Sequence, residues 1–206
     1  MKKISILTSV FFLFIFSASS QINKSSILLG GNFGVNTGHA NGLSSSSNAN
    51  VSPRIGYAIG NNSVLSAKIG MGFSRTKDDS GWANYRSHYF NAGLSWKKFL
   101  SINDKLGWFT EGWGSYTRSY SKVNYDPALP TSNSKTTSES FSVGFTPGIY
   151  FTPVDYLILG ADVGGISYGS GKSKNGNWSS KSSDFNVSFL NSFNFGIDFI
   201  INRKKK

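Results

Sequence analysis

Eight segments of the chain alternate between unlike residue classes with a period of two, the mark of strands with two different faces. In ILLGGNFGVN one face carries Ile27, Leu29, Phe33 and Val35, and the other Leu28, Gly30, Asn32, Gly34 and Asn36. VSPRIGYAIG sets Val51, Pro53, Ile55, Tyr57 and Ile59 against Ser52, Arg54, Gly56, Ala58 and Gly60. LSAKIGMGFS and HYFNAGLSWK repeat the arrangement, with Lys68 and Lys97 on their glycine- and serine-rich faces. The fifth segment, LGWFTEGWGSYT, is less regular, because Phe109 and Trp113 share a face with Glu111. FSVGFTPGIYF is regular again, and LILGADVGG sets Leu157, Leu159, Ala161 and Val163 opposite Ile158, Gly160, Asp162 and Gly164. The last and longest segment, DFNVSFLNSFNFGIDFII, puts Phe185, Val187, Phe189, Phe193, Phe195, Ile197, Phe199 and Ile201 on one face.

The less apolar face decides the class. A soluble barrel turns its bulky apolar residues inward and its charges outward. Here glycine, serine, asparagine and isolated charges suit a crowded narrow interior, which leaves the bulky face pointing out. Water would not tolerate so large an apolar band, whereas lipid would. The fold predicted is all-β: an eight-stranded antiparallel transmembrane up-and-down β-barrel. The connections, near 38–49, 61–63, 75–86, 100–105, 119–138, 153–155 and 169–182, alternate long and short. Short periplasmic turns and long extracellular loops are the rule for such barrels. Pro153 falls in a predicted short turn, whereas Pro53 and Pro147 fall inside strands and call for a bulge or a missing ladder bond.

Composition adds the ends of the chain. Lys2 and Lys3, the apolar run ISILTSVFFLFIF and the small residues Ala18-Ser19-Ser20 before Gln21 have the layout of a cleaved signal peptide over residues 1–20. Residues 21–202 then form one barrel domain, and 203–206 a basic periplasmic tail. The chain has no cysteine, which excludes a disulfide framework and a lipidated cysteine. The net charge of +11 falls to +5 once Lys2, Lys3 and the four basic residues Arg203–Lys206 are set aside. The remaining basic residues are dispersed along the sequence, which argues against nucleic acid as a partner.

The stretch VGFTPGIYFTPVDYLILGADVGGISY resembles a hairpin of the small porin-like outer-membrane β-barrels common in Bacteroidetes, and ILLGGNFGV is similar to their first strand. The resemblance implies localisation in the cell outer membrane, with membrane lipid and lipopolysaccharide as surroundings. It specifies the architecture more than the activity. The last strand also resembles the insertion signal read by the barrel-assembly machinery, carried here by Asn194, Gly196, Phe199 and Ile201. The tail Asn202–Lys206 departs from that pattern.

Arg54, Lys68, Lys97, Glu111, Asp162 and Asp198 share the inward parity. Isolated charges inside a narrow barrel are costly, so a paired network that fills the lumen is expected, with a gated ion path as the competing use. Catalytic chemistry finds little support. Ser87, His88 and Asp78 or Asp79 are the one candidate triad, against which His88 reads as an interfacial residue beside Tyr85, Tyr89 and Phe90. No enzyme, cofactor or metal site is expected. GSGKSKNG lacks the first glycine of a phosphate-binding loop and reads as a flexible extracellular hairpin tip. The function expected is a membrane-embedded scaffold whose loops serve structural or binding roles, and the alternative is a narrow porin-like channel for very small solutes. An extracellular ligand is not specified by the sequence.

Overall fold

The computed structural model describes residues 22–40, 44–78, 83–125, 134–176 and 178–201. The predicted signal peptide and the basic tail lie outside them, as do residues 41–43, 79–82, 126–133 and 177. Eight strands follow one another: β1 (Ile27–Ala40), β2 (Ser44–Gly60), β3 (Ser63–Asp78), β4 (Ala83–Ser101), β5 (Leu106–Tyr125), β6 (Ser134–Val154), β7 (Leu157–Asn175) and β8 (Trp178–Ile201). Each pairs antiparallel with the next, and β8 returns to β1 to close the barrel. Closing a ladder satisfies backbone groups within the sheet, the condition for crossing hydrocarbon with strands, and here closure is made by five β1–β8 pairs, from Ile27–Ile201 to Gly31–Ile197.

The faces are those the alternation predicts. Ile55, Phe73, Leu94 and Phe145 point outward, with exposures of 55%, 55%, 62% and 47%. Met71, Phe90, Trp108, Tyr116, Phe141 and Phe199 extend the same outward band around the wall. Ser66, Ser95, Lys97, Ser115 and Asp198 are buried on the inner face. An apolar exterior around a polar, charged interior is the arrangement of a membrane-spanning barrel.

The strands run further than the apolar pattern indicated. Residues expected in four long loops are mostly strand, so that β7 continues through the GSGKSKN stretch to Asn175 and β8 begins at Trp178. These extensions are rich in Ser, Thr, Asn and Lys on both faces, so they lack the apolar contrast by which a strand is recognised. The short connections remain short, at 61–62, 102–105 and 155–156. One end of the barrel is thus a rim of tight turns, and the other is a tall polar extension.

Prolines fall where the ladder is broken. The β6–β7 register shifts between Phe145 and Gly148, around Pro147, and again between Phe151 and Val154, around Pro153. Pro153 therefore belongs to a bulge at the end of β6, and the turn itself is Asp155-Tyr156. At Pro53 the β2–β3 pairing skips from Val51–Met71 to Arg54–Lys68 without a change of register. Pro53 and Pro147, which have no N–H to donate, fall among the skipped pairs of one neighbouring ladder and stay in register with Gly31 and Thr110 of the other.

A larger irregularity lies between β7 and β8, where the pairing passes from Asp162–Asn194 to Gly164–Phe189. Gly164 has φ +96°, and a Cβ there would lie 1.9 Å from the Ser188 carbonyl oxygen. Glycine is required for that backbone. The bulge reverses the parity of β7, so beyond it Ile166 and Tyr168 face outward, and the predicted alternation through Val163 and Gly164 ends there.

Candidate functional site: the lumen

The lumen is filled in layers. At the short-turn end, Leu28, Ala58, Val64, Phe99, Phe109, Tyr150, Ile158 and Ile200 are all buried and form an apolar plug. Phe99 meets the Tyr150 ring edge-on at 5.1 Å between centroids. Such aromatic contacts stabilise a core by about 0.5–1.5 kcal/mol beyond simple burial. The Tyr150 hydroxyl satisfies its polar end on the Ser101 hydroxyl at 2.8 Å.

Ile22, ahead of β1, completes this plug at 1% exposure. Its N–H donates to Asn62 Oδ1 at 3.1 Å, and its carbonyl accepts from the Asn62 N–H at 3.0 Å. Asn62 holds φ +57° in the β2–β3 turn and also accepts from the Phe99 N–H through its carbonyl. Asparagine tolerates that left-handed conformation better than most residues. The segment before β1 is thereby tied to the β2–β3 turn and, through Asn62, to the end of β4.

Above the plug lies a charge network. Arg54 donates from Nη2 to Asp198 Oδ1 and Oδ2 at 2.7 and 2.6 Å, and Arg54 Nη1 lies 3.7 Å from Glu111 Oε1. Lys97 Nζ pairs with Glu111 Oε2 at 3.1 Å. The same ammonium stands 4.4 Å from the centre of the Phe109 ring, which joins the ionic layer to the apolar one. Desolvated charges of this kind persist only when partnered, and each partner here comes from a different strand.

Register explains how Arg54 and Asp198 meet. Gly30 of β1 pairs with Arg54 on one side and with Asp198 on the other. A Cβ at Gly30 would lie 2.1 Å from Asp198 Oδ1 and 2.2 Å from the Ile197 carbonyl oxygen. Glycine thus opens the passage through which a carboxylate on β8 crosses β1 to reach β2. The ion pair bridges the closing seam.

Of the six lumen charges expected to pair, Arg54, Lys97, Glu111 and Asp198 are joined. Lys68 and Asp162 line the same cavity outside that chain of ion pairs. Lys68 Nζ lies 5.2 Å from the Trp113 ring centre, and Asp162 accepts from Asn194 Nδ2 at 3.0 Å. The cavity measures about 100 Å³, room for several waters. It reaches Asn32 on β1 and Asn194, Phe195 and Gly196 on β8, beside the end of the closing ladder. In the proposed insertion signal, Phe199 and Ile201 point outward while Asn194 and Gly196 border the cavity.

The candidate triad is not assembled. Ser87 and His88 are adjacent on β4 and so project to opposite faces, and Asp79 lies outside the described residues. His88 stands on the outer face, in register with Phe73 and Tyr120. Sequence reasoning missed the plug, because Leu28, Val64, Ile158 and Ile200 belong by parity to the polar face. Apolar residues on both faces at the strand ends were the available signal.

No family model matches the chain, and no curated protein matches it. Among solved structures it is similar to the translocator domain of the autotransporter NalP from Neisseria meningitidis, with 15% identity and a TM-score of 0.53. That likeness covers 89% of this chain, which spans 65% of the NalP domain. It is also similar to a major outer membrane protein from Thermus thermophilus, with 11% identity over 86% of this chain and 98% of that one, at a TM-score of 0.48. The attachment invasion locus protein Ail of Yersinia pestis shares 11% identity over 87% of this chain and all of that one, at a TM-score of 0.42. The chain has the fold of outer-membrane β-barrels, and its outward apolar band is the surface that such a membrane demands.

Proposed function

We propose that the protein is an outer-membrane scaffold that carries its tall strand extensions outside the cell for structural or binding roles. The observation behind this reading is the double closure of the lumen, by the apolar plug and by the Arg54–Asp198 and Arg54–Glu111–Lys97 ion pairs above it. Eight strands leave an interior that side chains alone can fill. The short-turn rim faces the periplasm in this reading, and the polar extensions face out. The role is non-enzymatic, with membrane lipid and lipopolysaccharide around the wall and the barrel-assembly machinery engaging Asn194, Gly196, Phe199 and Ile201. Kinship with the small porin-like barrels of Bacteroidetes belongs to the same proposal.

Single-channel recording of the refolded protein in planar bilayers tests it. The scaffold reading expects no steady conductance. A persistent open level that changes with lumen substitutions such as Lys68→Met would replace it with a narrow channel. Deleting residues 126–133 is expected to leave a heat-resistant barrel and to remove only contacts made outside the cell.

A further inference from the structure

The lumen cavity reaches the wall where the closing ladder ends. Pairing between β1 and β8 stops at Gly31–Ile197, although β1 runs on to Ala40 and β8 starts at Trp178. Continued in register, Asn32 would face Gly196 and Phe33 would face Phe195. Neither pair is made, so at that height the two edges lack each other's backbone hydrogen bonds. Within hydrocarbon such backbone persists only where protein or a water-filled cavity meets it. Here the cavity does, with Asn32, Asn194 and Gly196 in its lining. Chain neighbours aside, a Cβ at Gly196 would find no atom nearer than the Gly31 carbonyl oxygen at 3.8 Å, so there is free space beside it.

Side chains mark the same opening from outside. Phe33, Val35 and Phe195 are 78%, 74% and 71% exposed, against 55% for Phe73 and 47% for Phe90, which stand in continuous ladders. An outward residue between two paired strands is partly covered by both neighbours, and beside the open seam one neighbour is missing. Phe195 also lines the cavity, whereas the other lining residues have inward parity. It stands at a window between lumen and membrane, apolar on its outer side and polar within.

Inside, the ion pairs leave one charge of each sign over. Arg54 and Lys97 balance Glu111 and Asp198, whereas Lys68 and Asp162 line the cavity and form no ion pair among the described residues. They stand on β3 and β7, four strands apart in a ring of eight and so on opposite sides of the lumen. We propose that the window is a lateral entry, and that the cavity takes the small head of a single-chain zwitterionic amphiphile. Its ammonium lies toward Asp162 and its carboxylate toward Lys68, and its chain leaves between Phe33 and Phe195 into hydrocarbon. A head of both signs keeps the lumen neutral, whereas a singly charged one would bury a net charge. The cavity of about 100 Å³ admits a head of a few heavy atoms and is too small for a sugar. The apolar plug bars entry from the short-turn rim. The site rests on the barrel standing in a membrane and not on the scaffold role.

Native mass spectrometry of the refolded full chain from octyl glucoside micelles tests the site, with N-dodecylglycine, laurate and dodecylamine as probes. The wild-type protein is expected to retain a single N-dodecylglycine and to prefer it about tenfold over either singly charged probe, the worth of one charge-assisted hydrogen bond. K68Q and D162N should each remove that preference while keeping heat-resistant migration. The chain has no cysteine, so Gly196→Cys puts a unique thiol at the window. Folded Gly196→Cys should retain the probe, and alkylation with N-ethylmaleimide after refolding should abolish retention. The block is applied to a barrel already folded, so misfolding cannot imitate it, and Asn32→Cys on the facing edge serves should Gly196→Cys fail to fold. The proposal is overturned if the three probes are retained alike, or if K68Q and D162N both bind like wild type. It is equally overturned if the thiol resists alkylation in the folded barrel, or if the alkylated barrel still retains the probe. Steady conductance of the wild-type protein would overturn the scaffold reading and leave this result standing.

Discussion

Two seams of the barrel are built differently. Between β4 and β5, nineteen residue pairs run without a shift from Ala83–Tyr125 to Ser101–Gly107. Between β1 and β8 the ladder has five pairs, from Ile27–Ile201 to Gly31–Ile197. The long seam is held by its backbone. The short one has little backbone pairing and is reinforced from inside, by Asp198 reaching across Gly30 to Arg54 and by Leu28 and Ile200 buried below that pair. Closure of the barrel and filling of the lumen are therefore served by the same residues.

The contrast can be broken most severely at Gly30. Gly30→Val would drive a side chain into Asp198 Oδ1 and the Ile197 carbonyl. The expected outcome is loss of the heat-resistant folded band, a destabilisation above about 4 kcal/mol, of the kind reserved for steric conflict in a packed site. Gly112, where a Cβ would meet nothing within 4 Å, is the matched control on β5, and Gly112→Ala should fold normally. Equal behaviour of the two variants would show that the short seam has no special dependence on Gly30.

Next in size is Asp198→Ala. It leaves Arg54 with Glu111 at 3.7 Å as its remaining acid, and removing one member of a buried pair costs about 3–5 kcal/mol. Urea unfolding in vesicles should register that loss, and protease cleavage in β1 or β8 should precede cleavage in β4 or β5. Lys97→Met combined with Glu111→Leu should be milder than Glu111→Leu alone, because the double change leaves no unpaired Lys97 charge. Smallest is Tyr150→Phe, which removes the hydroxyl contact with Ser101 and should cost about 0.5–1.5 kcal/mol.

Much of this architecture is written in the alternation. Ile55, Phe73, Leu94 and Phe145 face lipid because parity places them opposite Arg54, Lys68, Lys97 and Glu111, and the strand count follows from the same pattern. Other features escape it for physical reasons. Extensions such as Ser44–Asn50 and Lys172–Asn175 are polar on both faces, so a strand there looks like a loop. The bulge at Gly164 reverses parity without a sequence mark beyond a pair of glycines. Ile22 enters the plug from outside any strand, where period-two reading has no reach. The charged residues were legible as inward, whereas the role of Gly30 needed the register of two neighbours at once.

The coupling between Arg54 and Asp198 is the most direct measure of how the seam is held. A double-mutant cycle with Arg54→Met, Asp198→Leu and both together, read by reversible urea unfolding in lipid vesicles, isolates it. If the pair closes the barrel across Gly30, the double variant will be less destabilised than the sum of the singles by about 2 kcal/mol or more. Additive effects would contradict that account and assign closure of the seam to its five backbone pairs alone.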